Sequence, residues 1–379
     1  MNILINAFGI KDAGGLKVLD KLLKEICFNT SSEYLIICNN DLFIRRLKDS
    51  YSSSKNLKFI LIKNKSIFYR LYYENFIFKR LIKSENIELI YNISGSYQFF
   101  IKTLQIVKVQ NLLFFSKRLD RAYLQERNFL LWLKQVYIKR LVFKLMLSKA
   151  KYIEIQSNHV KSYLSEFINT RDKIFFLKSD INIDDNAFFP PKLYNFSERL
   201  IFLYIVGLNF EYLHKNLIDF TNAMVKLKRK GLKFEINITL TKEQLENSKV
   251  WSSSLDSSTN FLGYIDSKSK IKELFCNNTI LISTSIIETL GLHITEGIKN
   301  GIITIAPNEE YTHAVYGRNM FKYELFNKNS LSNTIMTVIN YKDSYNDNIL
   351  SVQEDLRQSE MRKFNNILDV FDEVVSVKR

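Results

Sequence analysis

The chain has 379 residues, 46% apolar and 13% aromatic, which is too long for one core and rich enough to bury two. Its net charge of +15 is uneven: residues 1–190 hold 31 Lys and Arg against 17 Asp and Glu, whereas residues 191–379 hold 23 against 22. No apolar run is long enough to span a bilayer and the start (MNILINAFG) enters a strand pattern directly, so neither a signal peptide nor a transmembrane helix is expected. Cys27, Cys38 and Cys276 lack CxxC spacing and read as reduced residues of a cytoplasmic protein.

Asn2 to Gly9 reads as a buried parallel strand. The loop IKDAGGLKVL follows, with Gly14-Gly15 ahead of a helix carrying Leu16, Leu19, Leu22, Leu23 and Ile26. Paired glycines there let backbone approach a ligand closely at a helix start. The pattern is not GxGxxG, so a dinucleotide cofactor is weakly supported. Further strand-like runs are Tyr34 to Cys38, Leu57 to Ile62, Ile87 to Ile93, Leu104 to Val109, Tyr152 to Gln156 and Ile174 to Leu177, with a helical pattern from Phe68 to Ile82. This alternation predicts a doubly wound parallel sheet, whose ligands bind at the carboxyl ends of strands. Gly9, Ser94-Gly95 and Gln110-Asn111 stand at such ends.

From Tyr123 to Lys149, basic residues alternate with aromatic and aliphatic ones, and Lys117, Arg118 and Arg121 lie just upstream. A basic amphipathic helix suits an anionic membrane surface; a core helix with one solvated basic stripe fits the same pattern. Asn182 to Arg199, with Asp184-Asp185 and Pro190-Pro191, breaks the periodicity and reads as a linker. The expected domains are residues 1–190, residues 191–360, and a final helix at 361–379 packing back on the first domain.

The second half opens with a buried strand, Leu200 to Leu208, containing Gly207, then NFEYLHKN and a helix from Leu217 to Lys230. Lys215, at that strand-to-helix connection, suits a pyrophosphate whose charge grows as it leaves. His214 reads as structural. Phe234 to Leu240 is the next strand, and FLGYID (Phe261 to Asp266) precedes another helix. Thr279 to Ile282 reads as a buried strand leading into SIIETLGLHITEGIKNG, Ser285 to Gly301. There Glu288 stands at the mouth of a loop, Gly291-Leu292 opens a helix, and Glu296 lies about one turn inside it. A strand, a tight loop and a helix start make an anion site, with a carboxylate on either side for hydroxyls. Ile302 to Ala306, Met320 to Leu325, Leu331 to Tyr341 and Met361 to Val375 complete the pattern as two strands and two helices.

The Glu288-to-Glu296 spacing resembles the E-x7-E signature of retaining family-4 glycosyltransferases of the GT-B fold. IITIAPNEEYTHAVYG (Ile302 to Gly317) is similar to the strand and loop that follow the signature in that family. The resemblance implies two doubly wound Rossmann-like domains facing a cleft, and transfer of a sugar from a nucleotide-diphosphate donor with retention. It implies donor contacts at Gly14, Gly15, Gly207, Lys215, Glu288, Thr289, Gly291, Leu292 and Glu296, and nucleobase contacts at the Tyr264 and Ile265 backbone. Gln110 and Asn111 resemble the acceptor-side loop. Val109 stands where many relatives carry a histidine, and Leu208, Asn209 and Phe210 fill the neighbourhood where they carry an arginine. Glu288 and Lys215 are the expected catalytic pair.

With no D-x-D triad and four dispersed histidines, no metal or other cofactor is expected. The partners implied are a nucleotide sugar, a glycan or polyprenyl-linked acceptor of bacterial surface polysaccharide synthesis, and the inner face of a membrane. The rival readings are a nucleic-acid-binding protein using the basic half and a GT-B enzyme of another kind, such as a sugar epimerase.

Overall fold

A computed structural model describes residues 1–10, 13–63, 66–126, 128–181, 187–207, 213–265, 267–340 and 344–377. The chain divides into two compact units. One comprises Met1–Ser116, Asn128–Asp180 and Lys363–Arg379; the other comprises Lys117–Arg127 and Ile181–Arg362. The Lys117–Arg127 segment therefore packs with the second unit although first-unit chain flanks it on both sides.

The first unit is built on a parallel sheet of seven strands: β1 (Asn2–Ala7), β2 (Glu33–Asn39), β3 (Leu57–Ile62), β4 (Leu89–Asn92), β5 (Leu104–Val109), β6 (Tyr152–Ile155) and β7 (Ile174–Leu177). Their order is β3-β2-β1-β4-β5-β6-β7. The central strands are nearly continuous apolar runs because helices cover both faces. One face packs Ile3, Ile5, Leu19, Leu23 and Ile36 with Val370, Phe371 and Val374 of the Ile367–Ser376 helix. The other packs Leu4, Phe8, Leu35, Ile37, Phe78 and Ile90.

The second unit repeats the plan with six parallel strands: β8 (Leu200–Tyr204), β9 (Phe234–Ile238), β10 (Thr259–Phe261), β11 (Thr279–Ile282), β12 (Ile303–Pro307) and β13 (Phe321–Tyr323). Their order is β10-β9-β8-β11-β12-β13. In each sheet the chain winds one way from the first strand and then the other, so the winding reverses between β1 and β4 and between β8 and β11. At such a reversal the connections diverge and leave a crevice beyond the carboxyl ends of the two strands.

Several elements differ from the sequence expectation. The segment from Tyr123 to Lys149 is not one helix. A helix at Lys117–Gln125 ends first, and a second begins at Phe129–Trp132, passes through a π-helical turn at Leu133–Tyr137 and continues as Ile138–Lys149. Phe68 to Ile82 likewise lies in a helical stretch with a π turn at Tyr73–Ile77. The loop expected after β12 contains a helix, Glu310–Tyr316; the helix expected at Met361 to Val375 is Ile367–Ser376, and a further helix, Tyr345–Met361, precedes it. Gly14 and Gly15 do not precede their helix but lie in the first turn of Ala13–Ile26.

Charge is buried deep in the first sheet. Lys108 Nζ lies 2.6 Å from Glu154 and 2.7 Å from Asp180, Lys178 lies 3.1 Å from Glu25, and the Tyr91 hydroxyl donates to Glu154 at 2.7 Å. Burial alone would lower the Lys108 ammonium, but the Asp180 and Glu154 carboxylates outweigh it and hold the group above its ordinary range. Such a cluster is tolerable in the interior because each charge has partners.

Candidate functional site

Lys215 and Glu288 come from the two strands that flank the reversal in the second sheet. β8 leads through Val206 and Gly207 to the turn Leu213–Lys215. β11 leads into residues 283–291, at whose centre Glu288 stands. The Lys215 ammonium donates to Glu288 Oε1 at 2.8 Å and lies 3.5 Å from the Ser285 hydroxyl. Leu208 to Tyr212, including the positions considered for an arginine, fall outside the described residues.

Backbone clamps fix this meeting. The Ile286 N–H donates to the His214 carbonyl at 2.8 Å, and the Thr284 hydroxyl donates to the Lys215 carbonyl at 2.6 Å. The Tyr204 hydroxyl, at the end of β8, reaches the same carbonyl at 3.1 Å and Thr284 Oγ1 at 2.7 Å. Two further tyrosines come from the Glu310–Tyr316 helix. Tyr311 donates to the Ser285 carbonyl at 2.9 Å; Tyr316 donates to the Leu290 carbonyl and, at 2.9 Å, to that of Gly291. All three rings are buried. Their hydroxyls add hydrogen bonds to backbone carbonyls of the site, some of which, such as those of Ser285 and Leu290, have no donor close in sequence.

Gly291 has φ +65°, and a Cβ there would lie 3.0 Å from Ile294 Cδ1 and 3.1 Å from the Tyr316 oxygen. Glycine is therefore favoured by both conformation and space. It caps the Leu292–Lys299 helix, which presents its positive end toward the loop. Thr289 and Leu292 lie at that mouth, and Glu296 follows on the helix, partly buried.

Burial pushes the Glu288 carboxyl upward, but the charge and hydrogen bond of the Lys215 ammonium outweigh it and hold the group at about 2. Glu288 is thus a carboxylate throughout the neutral range, an acceptor of hydrogen bonds and a fixed negative charge. Burial and the neighbouring Lys215 lower the His214 imidazole to about 3, which leaves it neutral. Tyr264 and Ile265 follow β10, beyond β9 from the Lys215 strand; Tyr264 is exposed and follows Gly263 at φ +65°. Among the described residues no group of His, Cys, Asp and Glu is placed to hold a metal ion.

The first unit has its own polar cluster at the β1–β4 reversal. Asn6 donates to Glu74 at 3.0 Å and Asn92 at 2.9 Å. Arg70 bonds Glu74 at 2.9 Å and the Ser94 hydroxyl at 3.0 Å. Gly9 sits under the guanidinium, where a Cβ would collide with it. Gly14, Gly15, Gln110 and Asn111 also belong to this unit; Asn111 Oδ1 accepts the Leu113 N–H at 2.9 Å in a local turn.

Sequence reasoning did not anticipate the tyrosine clamps, Arg70–Glu74, or an ion pair between Arg118 and Glu309 in the second unit. The tyrosine spacing in EYTHAVY was the available signal for the clamps.

No family model and no curated protein matches the chain. Solved structures do. Sucrose-phosphate synthase from Thermosynechococcus elongatus is 15% identical, with all of both chains covered and a TM-score of 0.71. A glycosyltransferase from Rickettsia africae ESF-5 is 17% identical over 99% of this chain and 98% of that one, with a TM-score of 0.65. Anabaena Alr3699/HepE, solved with UDP and glucose, is 13% identical over 100% and 99%, with a TM-score of 0.64. The chain therefore shares its fold, GT-B, with these proteins. Its chemistry has to be argued from the site.

Proposed function

We propose that this chain is a retaining glycosyltransferase of the family-4 type, which binds a nucleotide-diphosphate sugar on its second unit. The observation that carries the reading is the 2.8 Å Lys215–Glu288 pair at the carboxyl ends of β8 and β11. A cation, a permanent carboxylate and a helix N-terminus converge there, the combination that a diphosphate and a polyol require together.

In this reading the first-turn amides at Gly291-Leu292 and the Lys215 ammonium take the diphosphate. Glu288 and Thr289 hold sugar hydroxyls, Glu296 holds the ribose, and the backbone at Tyr264 and Ile265 meets the base. The bond between the anomeric carbon and the phosphate oxygen breaks, and its electron pair leaves with the nucleoside diphosphate. The acceptor oxygen bonds the same face of that carbon, and its proton passes to the departing phosphate oxygen. Lys215 stabilises the charge that develops.

The acceptor, a glycan or lipid-linked sugar of surface polysaccharide synthesis, binds the first unit near Gln110 and Asn111. Leu130, Ile138, Leu141 and Leu145 are exposed on one side of the 129–149 helix with Lys134, Lys144 and Lys149. That face would rest on an anionic membrane at the cytoplasmic side. Among the described residues no helix is long and apolar enough to cross one. Thermal stabilisation by one member of a panel of UDP-, GDP-, dTDP- and ADP-sugars, absent in Glu288→Gln, is the expected result. Equal stabilisation of the variant would remove the assignment.

A further inference from the structure

We propose that Arg118 is a second diphosphate-binding cation of the Lys215–Glu288 site, brought there by the Lys117–Gln125 helix; the inference rests on the donor-binding reading above. Lys117–Arg127 leaves the first unit, packs with the second, and returns. Its helix lies against the Leu213–Lys215 turn, the turn that places the Lys215 ammonium. Arg118 itself bonds Glu309. Glu309 caps the Glu310–Tyr316 helix, whose Tyr311 and Tyr316 hold the Glu288 loop by its carbonyls. Arg118 is therefore bracketed by the two elements that build the site.

The charge balance calls for it. Lys215 already faces Glu288, so that pair is near neutrality, whereas a departing nucleoside diphosphate carries several negative charges. The Arg118 side chain is half exposed (52%), and its planar fork suits phosphate oxygens. Helix stability does not explain its position, because a cation in a first turn opposes the helix dipole. Its present partner is also a weak competitor. Burial, opposed by Arg118 and reinforced by Glu324 and Glu310, raises the Glu309 carboxyl to about 7. Near neutral pH this carboxyl is partly protonated, and Arg118 can turn to a ligand.

The test is calorimetric binding of UDP, GDP, dTDP and ADP, and of the nucleoside matching the tightest of them, to the full chain. Arg118→Ala is expected to weaken the diphosphate by about 10- to 100-fold while leaving the nucleoside unchanged. Arg118→Lys falls between, Glu309→Gln tightens the diphosphate by freeing the guanidinium, and Arg121→Ala, which removes a neighbouring charge, has no effect. If Arg118 and Glu309 form only a structural pair, neither variant changes the diphosphate constant, and the inference is overturned while donor binding stands. If wild type binds none of the four diphosphates, the donor reading falls and this inference with it.

Discussion

Replacing Lys215 with Met leaves Glu288 partly buried beside a methionine, and the pH dependence of the loss can be worked out. The Glu288 carboxyl lies at about 2 in the folded chain against an ordinary 4.5. That depression corresponds to about 3 kcal/mol of folding free energy at neutral pH. Because the folded value is the lower one, the contribution is fully present above pH 4.5 and is lost as pH falls through about 2. Lys215→Met is therefore expected to cost up to about 3 kcal/mol at pH 7, a fall of roughly 6–12 °C in Tm for a unit of this size. The deficit shrinks in melts between pH 4.5 and 3, and Glu288→Gln in the same background adds little further loss. A double-mutant cycle at pH 7 gives coupling of about 1–3 kcal/mol. Additive single losses, or a Tm deficit constant down to pH 3, would refute the reasoning.

Other outcomes follow from the same geometry. Gly291→Ala forces a Cβ into a left-handed position against Ile294 and Tyr316, and costs about 1–2 kcal/mol in a denaturant melt together with weaker donor binding. Tyr316→Phe removes the hydroxyl donor of the Leu290 carbonyl, while the Gly291 carbonyl keeps the Ile294 and Thr295 N–H groups, and costs about 1–3 kcal/mol, with a raised donor KM. Lys108→Met leaves Glu154 and Asp180 buried without their shared ammonium, and should lower stability by about 3–5 kcal/mol without changing the donor constant of folded protein. His214, lowered to about 3, should show no titration between pH 5 and 8 in NMR spectra. A ring shift with a midpoint near 6.5 would contradict its burial.

Much of this was legible because strands buried on both faces are written as unbroken apolar runs. TILI and ITIAP could be placed, with the Glu288 loop between them, from such runs and from the glycines at 291 and 301. What escaped depends on contacts distant in sequence. The Glu310–Tyr316 helix reads as a polar loop because its work is done by tyrosine rings whose hydroxyls meet carbonyls some 26 residues earlier. Nothing near Lys108 or Glu154 in the sequence marks them as partners, since only the pairing of β5 with β6 brings them together. The excursion of Lys117–Arg127 has no local signature at all. Its helix has ordinary spacing, and only the turn it packs against assigns it to the second unit. The π turns at Tyr73–Ile77 and Leu133–Tyr137 each add a residue to a helical repeat, which blurs the periodicity that a sequence reading relies on.

The central claim, that Lys215 and Glu288 together grip an activated sugar, is tested most directly by titrating the best donor of the nucleotide-sugar panel into wild type, Lys215→Ala and Glu288→Gln. The account predicts saturable binding to wild type and a dissociation constant at least about 10-fold weaker in each variant, with both variants folded at the titration temperature. Binding of equal strength in all three proteins would contradict it.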